Sequence, residues 1–404
     1  MRLPHRLKLL FIFGTRPEAI KLAPVIRHFR EHFTEDTDAD VCVTAQHREM
    51  LDQVLRVFDI HPQYDLNVMQ PNQTLASVTG AMLPALERVL QSSRPDLVFV
   101  QGDTTTTLCG ALASFYARIP VAHIEAGLRT GDLHQPFPEE LNRVIVSKLA
   151  TVHFPATRQA AANLHSEGIA AELIEVTGNT GIDALLHVKH RLECGAIENA
   201  SPMAVPDGRR MILVTAHRRE NFGAGIERIC AALRRIAEAH DVQIVYPVHP
   251  NPCVSGPVRG LLSGHPRITL TEPLDYVSFV DLLRHAYLIL SDSGGIQEEA
   301  PSIGKPVLVL RDKTERPEAI QAGTAILVGT STNDIVVNTR RLLTNMNEYQ
   351  RRSHLNNPYG DGTASARIAR FMLTRAWRAF QEFPERRMAL AGFAQTCAPA
   401  ISHR

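Results

Sequence analysis

The sequence predicts an α/β protein made of two Rossmann-like, doubly wound domains, and three observations carry that expectation. The chain has 404 residues, more than one ordinary hydrophobic core organises. Short β-branched apolar runs alternate with stretches of helical periodicity, the pattern of parallel sheets covered on both faces. The runs also fall into two series of four, which argues for two sheets rather than one.

The first series is LLFIF (9–13), VCVT (41–44), LVFV (97–100) and PVAHI (120–124). The second is MILVT (211–215), VQIVY (242–246), YLIL (287–290) and PVLVL (306–310). A polar stretch from about Glu193 to Arg210, with Pro202, Pro206 and Gly208, lies between them. It reads either as the hinge or as a surface insertion; we place the hinge nearer Gly178. The expected domains are therefore 1–178 and 179–362. NPYGDG (357–362) then opens a helical run through Trp377, expected over 363–383, and the weakly periodic 384–404 is expected to be poorly ordered.

Each strand end carries polar chemistry. After the first strand, Thr15 followed three residues on by Glu18 fits a capping box, with Pro17 tolerated in the first helical turn. Leu22, Val25, Ile26, Phe29 and Phe33 mark one apolar face of that helix. Arg16 and Lys21 sit near the carboxyl end of the strand, where open α/β sheets bind ligands, although two solvated cations would look the same. The third strand runs into Gln101-Gly102-Asp103 and four threonines. Asp103 could simply cap the next helix. The fourth strand ends His123-Ile124-Glu125, and the loop beyond adds Glu139 and Glu140. Successive parallel strands end on one edge, so Asp103, Glu125 and Glu139 could converge, and crowded carboxylates hold pKa values apart.

In the second series, MILVT delivers His217, Arg218 and Arg219 to a helix start, a plausible diphosphate contact. His249, in the turn VHPNP, reads as structural. SDSGGIQEE (291–299) combines glycines that let a ligand approach the backbone with a helix start that favours anions. Backbone N–H groups at Ser293, Gly294 and Gly295 would hold a diphosphate. Glu299 would accept from ribose hydroxyls, and Glu298 would complement the helix dipole. Arg316 is a further candidate cation. A sugar nucleotide requires phosphate donors and a ribose acceptor together.

Composition excludes other classes. Lys plus Arg number 43 against 42 for Asp plus Glu, a formal net charge of +1, which gives no reason to expect a nucleic acid or anionic membrane as partner. The six cysteines are scattered without a C-x-x-C pair, so neither a disulfide framework nor a zinc site is expected. The basic-then-apolar start runs directly into Arg16 and Glu18 rather than a cleavage site, and no stretch approaches about 18 apolar residues. A cytoplasmic protein is expected.

Ten segments, in order, resemble the bacterial non-hydrolysing UDP-N-acetylglucosamine 2-epimerases over about residues 8 to 380. They are FGTRPEAIK, TAQHREMLDQV, GDTTTT, HIEAGLRTGD, PEELNR, TGNT, AHRREN, SDSGGIQEEAPSIGKPVL, DKTERPEA and NPYGDG. The resemblance implies a glycosyltransferase-B-like fold with the active site in the interdomain cleft, and a C-terminal helix returning to the first domain. It implies interconversion of UDP-GlcNAc and UDP-ManNAc through a 2-acetamidoglucal, with no metal or redox cofactor, in a homodimer. Carried over by position, Asp103, Glu125 and Glu139 form the acid–base group and His217 lies near the diphosphate. Arg16, Lys21, Phe279, Ser293, Gly294, Gly295, Glu299 and Arg316 match substrate contacts, and Leu274 a uracil contact made through backbone. Gln46, Gln70, Arg218 and His249 match the region of a second, activating UDP-GlcNAc. Gln101, Ala216 and Phe137 depart from common family residues, but none removes a proposed acid. Rival readings are a glycosyltransferase of the same architecture, a hydrolysing epimerase and a non-catalytic nucleotide-sugar sensor.

Overall fold

The computed structural model describes residues 6–44, 48–68, 73–199 and 208–376. They separate into two compact units, one running to Thr180 and resuming at Thr363, the other Gly181–Gly362.

The first unit is built on strands β1 (Leu7–Phe13), β2 (Thr37–Val43), β3 (Tyr64–Asp65), β4 (Leu97–Gln101), β5 (Val121–Ile124) and β6 (Val152–Phe154). They form one parallel sheet in the order β3-β2-β1-β4-β5-β6. The second unit has β7 (Arg210–Thr215), β8 (Val242–Pro247), β9 (Ile268–Thr271), β10 (Leu288–Ser291), β11 (Val307–Val309) and β12 (Ala325–Leu327). Its sheet is also parallel, in the order β12-β11-β10-β7-β8-β9. Counted from the first strand of each unit the two orders are identical. Three strands are laid outward on one side, and the chain then returns to lay three on the other. The strand order reverses between β1 and β4, and again between β7 and β10. In a doubly wound sheet the crevice for a ligand opens at that reversal, beyond the carboxyl ends of the strands.

The predicted pair of doubly wound Rossmann-like sheets is thus observed. Eight strands coincide with the apolar runs of the sequence. The other four, β3, β6, β9 and β12, are the outermost strands, two to four residues long.

Burial explains why the central strands are nearly continuous in apolar residues. Phe11 of β1 stacks on Phe99 of β4 with ring centroids 4.5 Å apart, and Phe29 tilts against both. Phe29 comes from the helix Arg16–His32, which also buries Leu22, Val25 and Ile26 as its spacing predicts. Each such side chain contributes roughly 2–3 kcal/mol of transfer free energy. In the second unit the helix Ala224–Ala239 packs Ile229, Leu233 and Ile236 over Ile244, Tyr246 and Leu290. The helix Ala364–Phe371 belongs to the first unit, where it lies on Arg16–His32. Phe371 meets the Phe154 ring edge-on at 5.7 Å, and Arg367 donates to the Thr177 carbonyl at 2.9 Å. The expected helix through 363–383 and tail 384–404 fall beyond the described residues from 377 onward. Among the described residues no helix is long and apolar enough to cross a membrane.

Candidate active site

In the first unit the turns after β1, β4 and β5 bring the candidate groups together. Thr15 and Glu18 form the capping box the sequence predicts. Glu18, however, does more than cap. It is 1% exposed, and its Oε2 accepts from the N–H groups of Gly14 and Thr15 at 3.1 and 2.8 Å. Its Oε1 faces the hydroxyls of Thr104 (2.7 Å) and Thr107 (3.1 Å), tying the turn after β1 to the turn after β4. Gly14 is also hemmed in by the residue after β2 and by the helix after β4: a Cβ there would lie 2.1 Å from Thr44 Oγ1 and 2.6 Å from Thr106 Oγ1.

The helix after β4, Thr105–Tyr116, is capped by Thr104 and not by Asp103. The Asp103 side chain is free for another purpose. Its carboxylate accepts from Arg143 Nη2 at 2.5 Å, and its backbone carbonyl accepts from Asn142 at 2.8 Å. Burial raises the Asp103 pKa above the ordinary carboxylate value. The Arg143 charge opposes that rise, the Glu125 charge adds to it, and Lys21 opposes it.

Glu125 follows β5 directly, with a left-handed φ of +63° and its N–H bonded to the Phe154 carbonyl at 3.0 Å. A non-glycine residue held in that region is strained, and such strain gathers at functional sites. Its carboxylate is clamped by Lys21 Nζ at 2.6 and 2.7 Å and receives a short hydrogen bond from Gln101 Nε2. A Cβ on Gly102 would lie 3.6 Å from Glu125 Oε2, so the turn bearing Asp103 passes beside that carboxylate. The structure therefore brings together Asp103, Glu125 and Lys21.

Glu139 is not drawn into this cluster. It begins the helix Glu139–Leu149, half-buried, and its side chain makes no hydrogen bond or ion pair with the described residues. The adjacent Glu140 is 1% exposed, accepts from the N–H groups of Thr130 and Gly131, and faces Arg143 at 3.3 Å. The Arg16 side chain, half-buried in the first turn of its helix, also makes no hydrogen bond or ion pair with the described residues.

Behind Glu125 lie two buried histidines in register, His123 on β5 and His153 on β6. His123 Nε2 bonds to the Gly102 carbonyl at 2.8 Å, which supports the Asp103 turn, and burial pushes its pKa down to about 4. Burial pushes His153 down to about 3. Both stay neutral in the folded chain while an unfolded histidine protonates near 6.5, so the unfolded state binds more protons. Their stabilisation is complete above pH 6.5 and is lost as pH falls toward 4. Asp103 and Glu18, with raised pKa values, act in the opposite sense. Urea melts at pH 7.5 and 5.5 bracket the ordinary histidine pKa, and comparison with a variant singles out one histidine. His153→Leu should shrink the loss between them by about 1 kcal/mol. An unchanged loss would rule His153 out as its source.

In the second unit the turns after β7, β8 and β10 converge. Asp292, immediately after β10, is fully buried. Its Oδ2 accepts from the backbone N–H groups of His217 and Arg218, both at 2.8 Å, and from Asn221 Nδ2 at 3.0 Å. The His217 ring stacks on that of His249 with centroids 5.3 Å apart. Burial lowers the His217 pKa; Asp292 raises it, and Arg218 and His249 lower it. His249, which reads as structural in the sequence, thus touches the candidate site.

The Ser293 N–H is bound to Ser291 Oγ at 3.0 Å and is not open to a ligand. The N–H groups of Gly294 and Gly295 donate to no described residue, so two of the three expected donors remain. Glu298 does not complement a helix start as expected: it is the fifth residue of the six-residue helix Gly294–Glu299, is buried, and is paired with Arg316. Arg316 is therefore already engaged, and an anion reaching it must compete with Glu298. Glu299 is half-buried, with Oε1 3.7 Å from where a Cβ on Gly295 would lie. Leu274 and Phe279 are half-buried at the start of the helix Tyr276–His285, which Asp275 caps. Gln46 and Gln70 lie outside the described residues. Among the described residues no group of three His, Cys, Asp or Glu is placed to hold a metal ion.

Comparison with known proteins fits this geometry. The family model described as UDP-N-acetylglucosamine 2-epimerase matches residues 31–373. The UDP-N-acetylglucosamine 2-epimerase of Salmonella typhimurium is 55% identical over 369 residues, 90% of this chain and 97% of its own length. A crystal structure of UDP-GlcNAc 2-epimerase from Neisseria meningitidis bound to UDP-GlcNAc is 49% identical, with a TM-score of 0.83 over 91% of this chain and all of that one. The glycotransferase of kitacinnamycin shares the fold alone, at 12% identity and a TM-score of 0.60, covering 91% of this chain and 100% of its own. The fold is thus a glycosyltransferase-B-like pair of Rossmann-like domains, and the chain belongs to the UDP-N-acetylglucosamine 2-epimerase family.

Proposed function

We propose that this protein interconverts UDP-GlcNAc and UDP-ManNAc by inverting carbon 2 of the sugar. The observation that carries the reading is the Asp103–Glu125–Lys21 cluster beside a strand reversal, in a chain of this family. The hydrogen on carbon 2 is feebly acidic because it is not α to a carbonyl, so its removal is coupled to departure of UDP. A base takes that proton, the C–H electron pair becomes the double bond between carbons 1 and 2, and the bond from carbon 1 to the diphosphate oxygen breaks. Returning UDP to carbon 1 of the bound 2-acetamidoglucal, with a proton delivered to the other face of carbon 2, completes the inversion.

Two groups with opposite proton preferences suit that sequence. Burial favours a proton on Asp103, while Lys21 and Gln101 hold Glu125 as a carboxylate. The roles exchange in the reverse direction. Glu139 would join them as a third acid once substrate is bound. His217, Arg16, Arg316 and the Gly294 and Gly295 N–H groups would stabilise charge on the departing diphosphate. Leu274 and Phe279 would meet the uracil, and Glu299 the ribose. The acid–base residues thus lie in the first domain, 1–178, and the UDP contacts chiefly in the second, 179–362. We further propose a cytoplasmic homodimer, activated by a second UDP-GlcNAc near Gln46, Gln70, Arg218 and His249, that feeds ManNAc-type units to cell-surface polysaccharide.

Proton NMR of the purified protein with UDP-GlcNAc in deuterated water tests the reaction. UDP-ManNAc carrying deuterium at carbon 2, with no free ManNAc, is the expected result. UDP-GlcNAc left intact and undeuterated would overturn it, and free ManNAc would point to hydrolysis instead.

A further inference from the structure

The Asp292 carboxylate is satisfied on one side only. Its Oδ2 accepts three hydrogen bonds, whereas Oδ1 is buried and has no hydrogen-bond partner. A buried carboxylate oxygen left in that state is uncommon and calls for an explanation. The imidazole Nδ1 of His217 lies 3.7 Å from Oδ1, beyond hydrogen-bond range, yet a small rotation of the ring would close the gap. The backbone of His217 cannot drift, because the N–H groups of His217 and Arg218 are tied to the other oxygen of the same carboxylate. Ring freedom is confined on the other side by the His249 ring, stacked 17° from parallel.

We propose that Asp292 is a positioning residue for His217: its Oδ1 receives the Nδ1–H of the imidazole and leaves Nε2 as the nitrogen available to the ligand. A histidine's tautomer is set by the hydrogen bond its other nitrogen makes, and an acidic partner also favours the charged ring. The charged and titratable groups facing this ring are Asp292 after β10, Arg218 beside it in the chain, whose guanidinium is 4.0 Å from Glu315, and His249 after β8. Of Asp292, Arg218 and His249, only Asp292 favours protonation. An anion arriving at Nε2 would then meet an imidazole already backed by a carboxylate. This inference rests on His217 meeting the diphosphate, as proposed above.

The test is nitrogen NMR on histidine-labelled, ligand-free protein, followed by titration with UDP and by kinetics. In the unaltered protein neutral His217 should show the Nδ1–H tautomer and gain a proton when UDP binds. Asp292→Asn should shift it to the Nε2–H form, abolish proton uptake with UDP, and lower kcat by roughly 10–100-fold, by analogy with loss of the carboxylate that orients a metal-bound histidine. Asn221→Ala removes one donor from Oδ2 without touching Oδ1, so the tautomer should stay. An Nε2–H tautomer in the unaltered protein would overturn the proposal. So would an equal tautomer shift in both variants, because Asp292 would then be only a backbone tie. The tautomer is read without turnover. A protein that shows the expected tautomers but leaves UDP-GlcNAc unchanged would sink the epimerase reading and spare this one.

Discussion

Asp103→Asn should lower kcat for epimerisation by about a thousandfold, with the fold retained and UDP still bound. Proton transfer by a placed side chain is worth about 10²–10⁴ in rate, and a thousandfold corresponds to about 4 kcal/mol of barrier. Asparagine keeps the size of the side chain, and its oxygen can still accept from Arg143, but it cannot donate or take up a proton at this pH. The stability cost is small by comparison. A quarter of the Asp103 side chain is exposed, so its ion pair with Arg143 is screened, and the substitution removes a charge that burial disfavours. The informative readout is exchange at carbon 2 in deuterated water. If Asp103 works on the proton, exchange and epimerisation fall together. A variant that epimerised at more than about a tenth of the normal rate would remove Asp103 from the acid–base group.

Lys21 sharpens that test. It pairs with Glu125 and also lowers the Asp103 pKa, so this one cation favours the carboxylate form of both acids, and only burial favours a proton on Asp103. Removing Asp103 leaves the Lys21–Glu125 pair intact, and UDP binding is expected to survive. This places the loss in kcat rather than in affinity for the nucleotide.

Much of this arrangement was legible in the sequence, and the rest was hidden for definable reasons. Interior strands such as LLFIF and YLIL are buried on both faces and read as apolar runs. The four strands missed are at the sheet edges, where short length and mixed polarity guard against unwanted pairing and erase the signal. Asp103 and Glu125 stood out because each follows a buried strand. Their partners did not. Arg143 is 40 residues from Asp103, and Gln101 is 24 from Glu125; the latter pair meets because β4 and β5 are neighbours. Asp292 was visible in SDSGG, but its inward turn toward a backbone 75 residues away follows only from β10 lying beside β7. Likewise Glu140 rather than Glu139 takes the buried position, a choice that two adjacent glutamates do not reveal.

Glu18→Ala should destabilise the first unit by about 4 kcal/mol, whereas Glu18→Gln should cost about 1 kcal/mol. The alanine variant strands the N–H groups of Gly14 and Thr15 and the Thr104 hydroxyl in a buried turn, at roughly 1–3 kcal/mol each before relaxation. The Thr107 hydroxyl is different. It has one proton, and its shortest acceptor is the Gln101 carbonyl at 2.6 Å, so it need not donate to Glu18 at 3.1 Å. Burial also raises the Glu18 pKa, which fits a site where a neutral group is tolerable. Glutamine supplies the oxygen for both N–H groups and offers its NH₂ to the Thr104 and Thr107 oxygens, so it keeps most of the network. Because Glu18 joins the turn after β1 to the turn that begins with Asp103, Glu18→Ala should also lose activity before it unfolds. Thermal melts of the two variants, with kcat measured well below each transition, decide the matter. Equal destabilisation by alanine and glutamine would mean that the charge, not the hydrogen-bond geometry, holds these turns together.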